Sequence, residues 1–93
     1  MSGYGRLHGW VTGVVQGVGF RYFAQRKASH YGLTGWVRNL PDDRVEFLAE
    51  GPLGILKDYL KEMQIGPPAG QVDNVQVLWE EYRGEFKNFR IGI

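Results

Sequence analysis

The sequence predicts an α+β fold: two helices packed on one face of an antiparallel sheet, in the order strand, helix, strand, strand, helix, strand. Three observations predict it. Several short runs alternate apolar and polar residues, the period of a strand. Two longer segments repeat their apolar residues at helical spacing instead. Glycine, proline and aspartate stand at the joints between these segments, where turns need them.

Each element follows in order. Arg6 to Gly13 (RLHGWVTG) reads as the first strand, with Leu7, Gly9 and Val11 on one face and His8, Trp10 and Thr12 on the other. The stretch VVQGVGFRYF, from Val14 to Phe23, is a glycine-punctuated turn that leads into a helix. Phe20, Phe23, Ala24, Ala28 and Tyr31 recur at helical spacing with Arg26 and Lys27 in the gaps, so Arg21 to Tyr31 reads as helix. Gly32 is placed to cap that helix in the left-handed conformation. Thr34 to Leu40 is the second strand and Pro41-Asp42-Asp43 its turn. Val45, Phe47 and Ala49 alternate with Glu46, Leu48 and Glu50 in a third strand, which closes a hairpin. Gly51-Pro52 opens the second helix, where a missing N–H costs nothing. Leu56, Tyr59, Leu60 and Met63 form its apolar face, and Gly66-Pro67-Pro68 ends it. Val72 to Glu80 is the fourth strand, and Phe86 to Ile91 can add a short edge strand. The order is that of the split βαβ, ferredoxin-like two-layer sandwich, βαββαβ.

Composition bounds the function. The chain has 93 residues, with no repeat or linker, and reads as one domain over 1–93. An apolar fraction of 43% and a charged fraction of 23% are those of an ordinary globular domain. Eleven basic and ten acidic residues, interspersed, leave a net charge of +1. That balance speaks against a nucleic-acid groove or a membrane-binding patch. With no cysteine, disulfides, thiolate metal sites and a cysteine nucleophile are excluded. The same absence, with no signal-like segment and no apolar run long enough to span a bilayer, fits a cytoplasmic protein. A small stand-alone domain points to a monomer.

The loop before the first helix carries the chemistry. A helix N-terminus has backbone N–H groups without intrahelical partners, and its dipole favours an anion. Glycines let successive N–H groups point into one concavity. Gln16-Gly17-Val18-Gly19-Phe20 fits that description, and Arg21 adds a charged fork matched to two phosphate oxygens. The loop taken alone is also compatible with a plain turn. It lacks the third glycine of a dinucleotide fingerprint, since Tyr22 stands there, and it lacks the Gly-Lys-Ser/Thr of a P-loop. Of the aliphatic hydroxyls, Ser2, Thr12, Ser29 and Thr34, only Ser29 has a histidine beside it in sequence, His30, and His8 and His30 show no metal-ligand spacing. Neither a cofactor nor a metal is called for.

VTGVVQGVGFR (Val11 to Arg21) followed by GLTGWVRN (Gly32 to Asn39) resembles the two signature segments of the acylphosphatase family. The likeness continues through VEFLAEG, GPP and GEFKNFRI and covers nearly the whole chain. The resemblance implies hydrolysis of the carboxyl–phosphate bond of acylphosphates to a carboxylate and inorganic phosphate, the latter a product and an inhibitor. It implies Arg21 as the phosphate-binding arginine and Asn39 as the residue that positions the attacking water. Gln16, Gly17, Val18, Gly19, Phe20 and Arg21 become the phosphate loop. Taken alone, Asn39 reads as a turn residue near Pro41, and sequence geometry does not bring it to Arg21.

The chain departs from the family pattern at two points. Asp42-Asp43 stands where Asp-Gly is common, so Asp43 must take the glycine's conformation or the turn must change type. Leu40 stands where some members carry a polar side chain beside the water. Two other functions share the fold. One is an accessory module that uses the same anion pocket. The other is RNA binding, which TGWVRNL and RVEFLAEG do not match.

Overall fold

The computed structural model describes residues 3–92; Ser2 lies outside them. The elements are β1 (Tyr4–Val14), α1 (Phe20–His30), β2 (Thr34–Asn39), β3 (Val45–Pro52), α2 (Leu53–Ile65), β4 (Gln71–Glu80) and β5 (Phe89–Ile91). They build one five-stranded sheet in the order β4-β1-β3-β2-β5. β1 pairs antiparallel with both β3 and β4, and β2 pairs antiparallel with β3. The added edge strand differs: β5 runs parallel to β2, so the sheet is mixed rather than wholly antiparallel. The reason is topological. β4 runs opposite to β1, and therefore opposite to β2, so it ends where β2 begins. The chain then passes to the far edge at that same end of the sheet and must enter β5 in the direction of β2.

The core lies between the helices and one sheet face. Leu7, Val11, Val37, Val45, Phe47 and Ala49 meet Phe20, Phe23, Ala24 and Ala28 of α1 and Leu56, Tyr59 and Met63 of α2. The alternation along the strands sends these residues to one side. Leu60 is only half-buried. Tyr59 is fully buried, and its hydroxyl donates to the Ala24 carbonyl at 3.0 Å, so the burial leaves no polar atom wasted. Burial pushes that phenol far above its ordinary pKa.

The helix ends obey local chemistry. At the end of α1, Gly32 takes φ 71°. The Leu33 N–H reaches the Ala28 carbonyl at 2.8 Å and the Gly32 N–H reaches Ser29 at 3.1 Å, the paired bonds of a Schellman cap. α1 starts at Phe20, one residue before the spacing predicts. Pro52 closes β3 and sits at the N-cap of α2. In the β2–β3 turn, Asp43 adopts φ 74°, the conformation a glycine would take.

The second sheet face is not left to water. The alternation puts Glu46 and Glu50 opposite Val45 and Phe47, where a two-layer sandwich predicts exposure or contact with a partner. Instead Glu50 is 1% exposed, under the segment between β4 and β5. Its carboxylate accepts from the N–H of Arg83 at 2.8 Å and of Glu85 at 3.3 Å, and from Arg6 at 3.3 Å. Arg6 also donates to Glu80 at 3.0 Å and to Glu85. Glu46, likewise buried, accepts from His8 at 2.6 Å and Arg38 at 2.7 Å.

Candidate active site

β1 ends at Val14, and the next residues alternate between anchoring and opening. Val15 and Phe20 are each 2% exposed, and Val18 packs against the core. Gly17 and Gly19 take φ 74° and 79°. A side chain would cost about 1–2 kcal/mol in that conformation. A Cβ built on either glycine would meet no atom within 4 Å, so both face open space. Gly19 is the N-cap of α1; no side chain caps the helix, and its first turn holds no acidic residue. Among the described residues, none of the backbone hydrogen bonds outside the helices and strands uses an N–H from 16 to 22. These amides are therefore free for an outside acceptor, at the end where the helix dipole carries about half a positive charge.

The open space in front of them is a hollow of about 230 Å³. At roughly 30 Å³ per liquid water, it has room for several water-sized groups. Gly17, Gly19, Phe20, Arg21 and Asn39 line it, and Val15, Tyr22 and Ile91 complete the wall. Arg21 is exposed in the first turn of α1. Among the described residues it takes part in no ion pair.

Asn39 reaches the hollow by a route that sequence reasoning could not trace. β1 and β2 are separated by β3, yet both run antiparallel to it. Their C-terminal ends therefore lie at the same end of the sheet. The loop after β1 and the last residue of β2 meet there, with α1 over them. The Asn39 Oδ1 is buried and has no hydrogen-bond partner among the described residues. A buried acceptor of this kind costs free energy unless something donates to it.

The side chains of Gln16 and Val18 are engaged away from the hollow. The Gln16 Nε2 donates to the Leu40 carbonyl at 2.8 Å and to the Arg44 carbonyl at 2.9 Å, tying the loop to the β2–β3 turn. Val18 is a packing residue. Arg38 faces the other side of the sheet, bonded to Glu46 and placed over the Trp36 ring at 5.0 Å from its centroid. His8 is likewise bonded to Glu46, away from the hollow. Three wall residues lay outside the expected site: Val15, Tyr22 and Ile91. Tyr22 lines the hollow with its side chain largely exposed. Ile91 arrives only because β5 pairs with β2, and nothing local signals it. Among the described residues, no three His, Cys, Asp or Glu side chains gather to hold a metal, and no helix is long and apolar enough to cross a membrane.

Fold and hollow together define an α+β sandwich protein with a glycine loop, an asparagine and an arginine, unpaired among the described residues, around one hollow. Comparison with known proteins gives that class a family. The acylphosphatase family model matches residues 7–91. An acylphosphatase of a Nostoc species is 54% identical over 79 residues, covering 85% of this chain and 78% of its own. One from Pyrobaculum islandicum is 46% identical over 87 residues, covering 92% of each chain. The crystal structure of acylphosphatase from Bacillus subtilis superimposes with a TM-score of 0.93 at 38% identity, over 96% of this chain and 99% of that one. The chain belongs to the acylphosphatase family, enzymes that hydrolyse acylphosphates.

Proposed function

We propose that residues 1–93 act as one metal-independent catalytic unit, a cytoplasmic monomer that hydrolyses acylphosphates by direct attack of water. The amides from Gln16 to Arg21 and the Arg21 guanidinium hold the phosphoryl group, and Asn39 holds the water. The observation that carries this reading is that Asn39, whose side-chain oxygen has no hydrogen-bond partner among the described residues, lines the same hollow as the glycine loop and Arg21.

The chemistry needs few parts. Phosphoryl transfer is largely a matter of positioning and of stabilising charge on the equatorial oxygens. Amides and guanidinium supply the second. The water hydrogen-bonds to the Asn39 side-chain amide, which fixes its lone pair toward phosphorus. The new P–O bond forms as the P–O bond to the acyl group breaks, and the carboxylate leaves with the electron pair. A carboxylate needs no general acid. The proton lost by the water passes late to a phosphate oxygen. Asn39 is too weak a base to take it.

The test is release of phosphate from acetyl phosphate with a chelator present, alongside inhibition by inorganic phosphate. Turnover that survives chelation, with competitive inhibition by phosphate, is the expected result. Phosphate binding without turnover would make the chain an accessory module instead.

A further inference from the structure

The residues assigned to the phosphoryl group and the water use only part of the hollow. The rest of its wall is Val15, Phe20, Tyr22 and Ile91. Val15 and Phe20 are buried and form an apolar floor. Tyr22 is 62% exposed and Ile91 39%, both large side chains left open to water. An exposed apolar side chain alone means little, but two that flank one hollow mark a surface to be covered.

Both walls are held. The Arg26 guanidinium, one turn on from Tyr22, lies 5.4 Å from its ring centroid. Ile91 sits opposite Val37 in the β2–β5 pairing, two residues from Asn39 along β2. The Gly92 N–H donates to the Val37 carbonyl at 2.7 Å, and the Gln25 side chain donates to the Phe89 carbonyl at 3.3 Å, which joins β5 to α1. A preformed apolar wall beside a few convergent polar groups is the usual composition of a small-molecule site.

We infer that Tyr22 and Ile91 form an acyl subsite, so that the enzyme selects acylphosphates whose acyl group is aromatic or bulky and apolar over those with a small acyl group. The inference rests on the proposed hydrolysis, because it takes the phosphoryl group to lie at the amides. A flat ring stacks on Tyr22 and packs against Ile91, whereas an acetyl methyl is too small to touch both. Leaving carboxylates of similar acidity remove intrinsic reactivity as the cause of any preference.

The experiment compares kcat/KM for benzoyl phosphate and acetyl phosphate in the full chain and in Tyr22→Ala, Tyr22→Phe and Ile91→Ser, each checked for an unchanged melting transition. The wild-type enzyme is expected to prefer benzoyl phosphate by about tenfold or more, the scale of an apolar pocket contact. Tyr22→Ala and Ile91→Ser erase most of that preference while acetyl phosphate turnover and phosphate inhibition persist; Tyr22→Phe retains it. A wild type without preference, or variants that lose both substrates equally, would overturn the subsite. Binding of benzoylphosphonate against acetylphosphonate, measured by calorimetry, gives the same comparison without turnover. A chain that hydrolysed neither acylphosphate yet bound the aromatic phosphonate more tightly, with the difference lost in Tyr22→Ala, would sink the hydrolytic reading and keep the subsite. Equal binding of the two would sink the subsite.

Discussion

Arg6 and Arg21 occupy opposite sides of the sheet and opposite electrostatic situations. The Arg6 side chain is 9% exposed, and Glu50, Glu80 and Glu85 surround it. Burial alone would lower its pKa, but hydrogen bonds and charge from Glu85 and Glu50 raise it on balance. Arg21 stands in solvent beside free amides, with no carboxylate near it among the described residues. A buried cation must be neutralised, or its desolvation is ruinous. An exposed one at a helix N-terminus gains nothing for the fold, since like charge meets the positive end of the dipole. The difference separates a charge that holds the fold together from one kept in reserve for a ligand.

Mutations can break or sharpen that contrast. The largest effect is expected from Arg21→Ala: a fall in kcat/KM of about 10³ or more, the scale seen when a charge on a transferring phosphoryl group is removed. Its folding stability should stay within about 0.5 kcal/mol, as for other surface changes. Urea unfolding beside the kinetic assay checks both, and a marked loss of stability would erase the distinction. Glu50→Ala should behave in the reverse way. It removes the buried member of the three carboxylates around Arg6 and leaves the N–H groups of Arg83 and Glu85 without their acceptor, at a cost of about 3–5 kcal/mol, while kcat per folded molecule holds.

Asn39→Ala comes next. We expect kcat to drop about 10²–10³-fold with phosphate inhibition intact and no loss of stability, because the deleted group includes an acceptor that the fold leaves unsatisfied. Full turnover in this variant would remove Asn39 from the mechanism. The smallest effect is a pH dependence on the far face. Burial pushes the Glu46 carboxyl up, but hydrogen bonds from His8 and Arg38, with their charge, hold it below its ordinary value on balance. A depressed folded-state pKa means the stabilisation is full above the unfolded pKa of about 4.3 and is lost as pH falls through the folded value. Urea midpoints measured from pH 6 down to pH 3 should therefore decline less steeply in Glu46→Gln.

Much of this was legible beforehand, for identifiable reasons. The helix over Phe20 to His30, the glycine cap at Gly32 and the left-handed Asp43 each follow from spacing or from backbone sterics within a few residues. The glycine turn ahead of that helix was legible for the same reason, since a helix N-terminus advertises itself locally. The meeting of Asn39 with Arg21 was not, because it depends on β3 lying between two strands of like direction. The burial of Glu46 and Glu50 was hidden too. Period-two alternation assigns them a face, but only the path of residues 81–88 decides what covers it. Ile91 and the double bond of Gln16 are consequences of tertiary position alone.

The Gln16 side chain has two hydrogens on one nitrogen, and it spends them on the Leu40 and Arg44 carbonyls, at either end of the exposed β2–β3 turn. A hairpin tip is ordinarily where a lineage can lengthen its chain freely. Here the tip is stapled to the amide cradle, so an insertion between 40 and 44 would tug on the active loop. Sequence length should drift elsewhere, and this surface turn should evolve as slowly as a core.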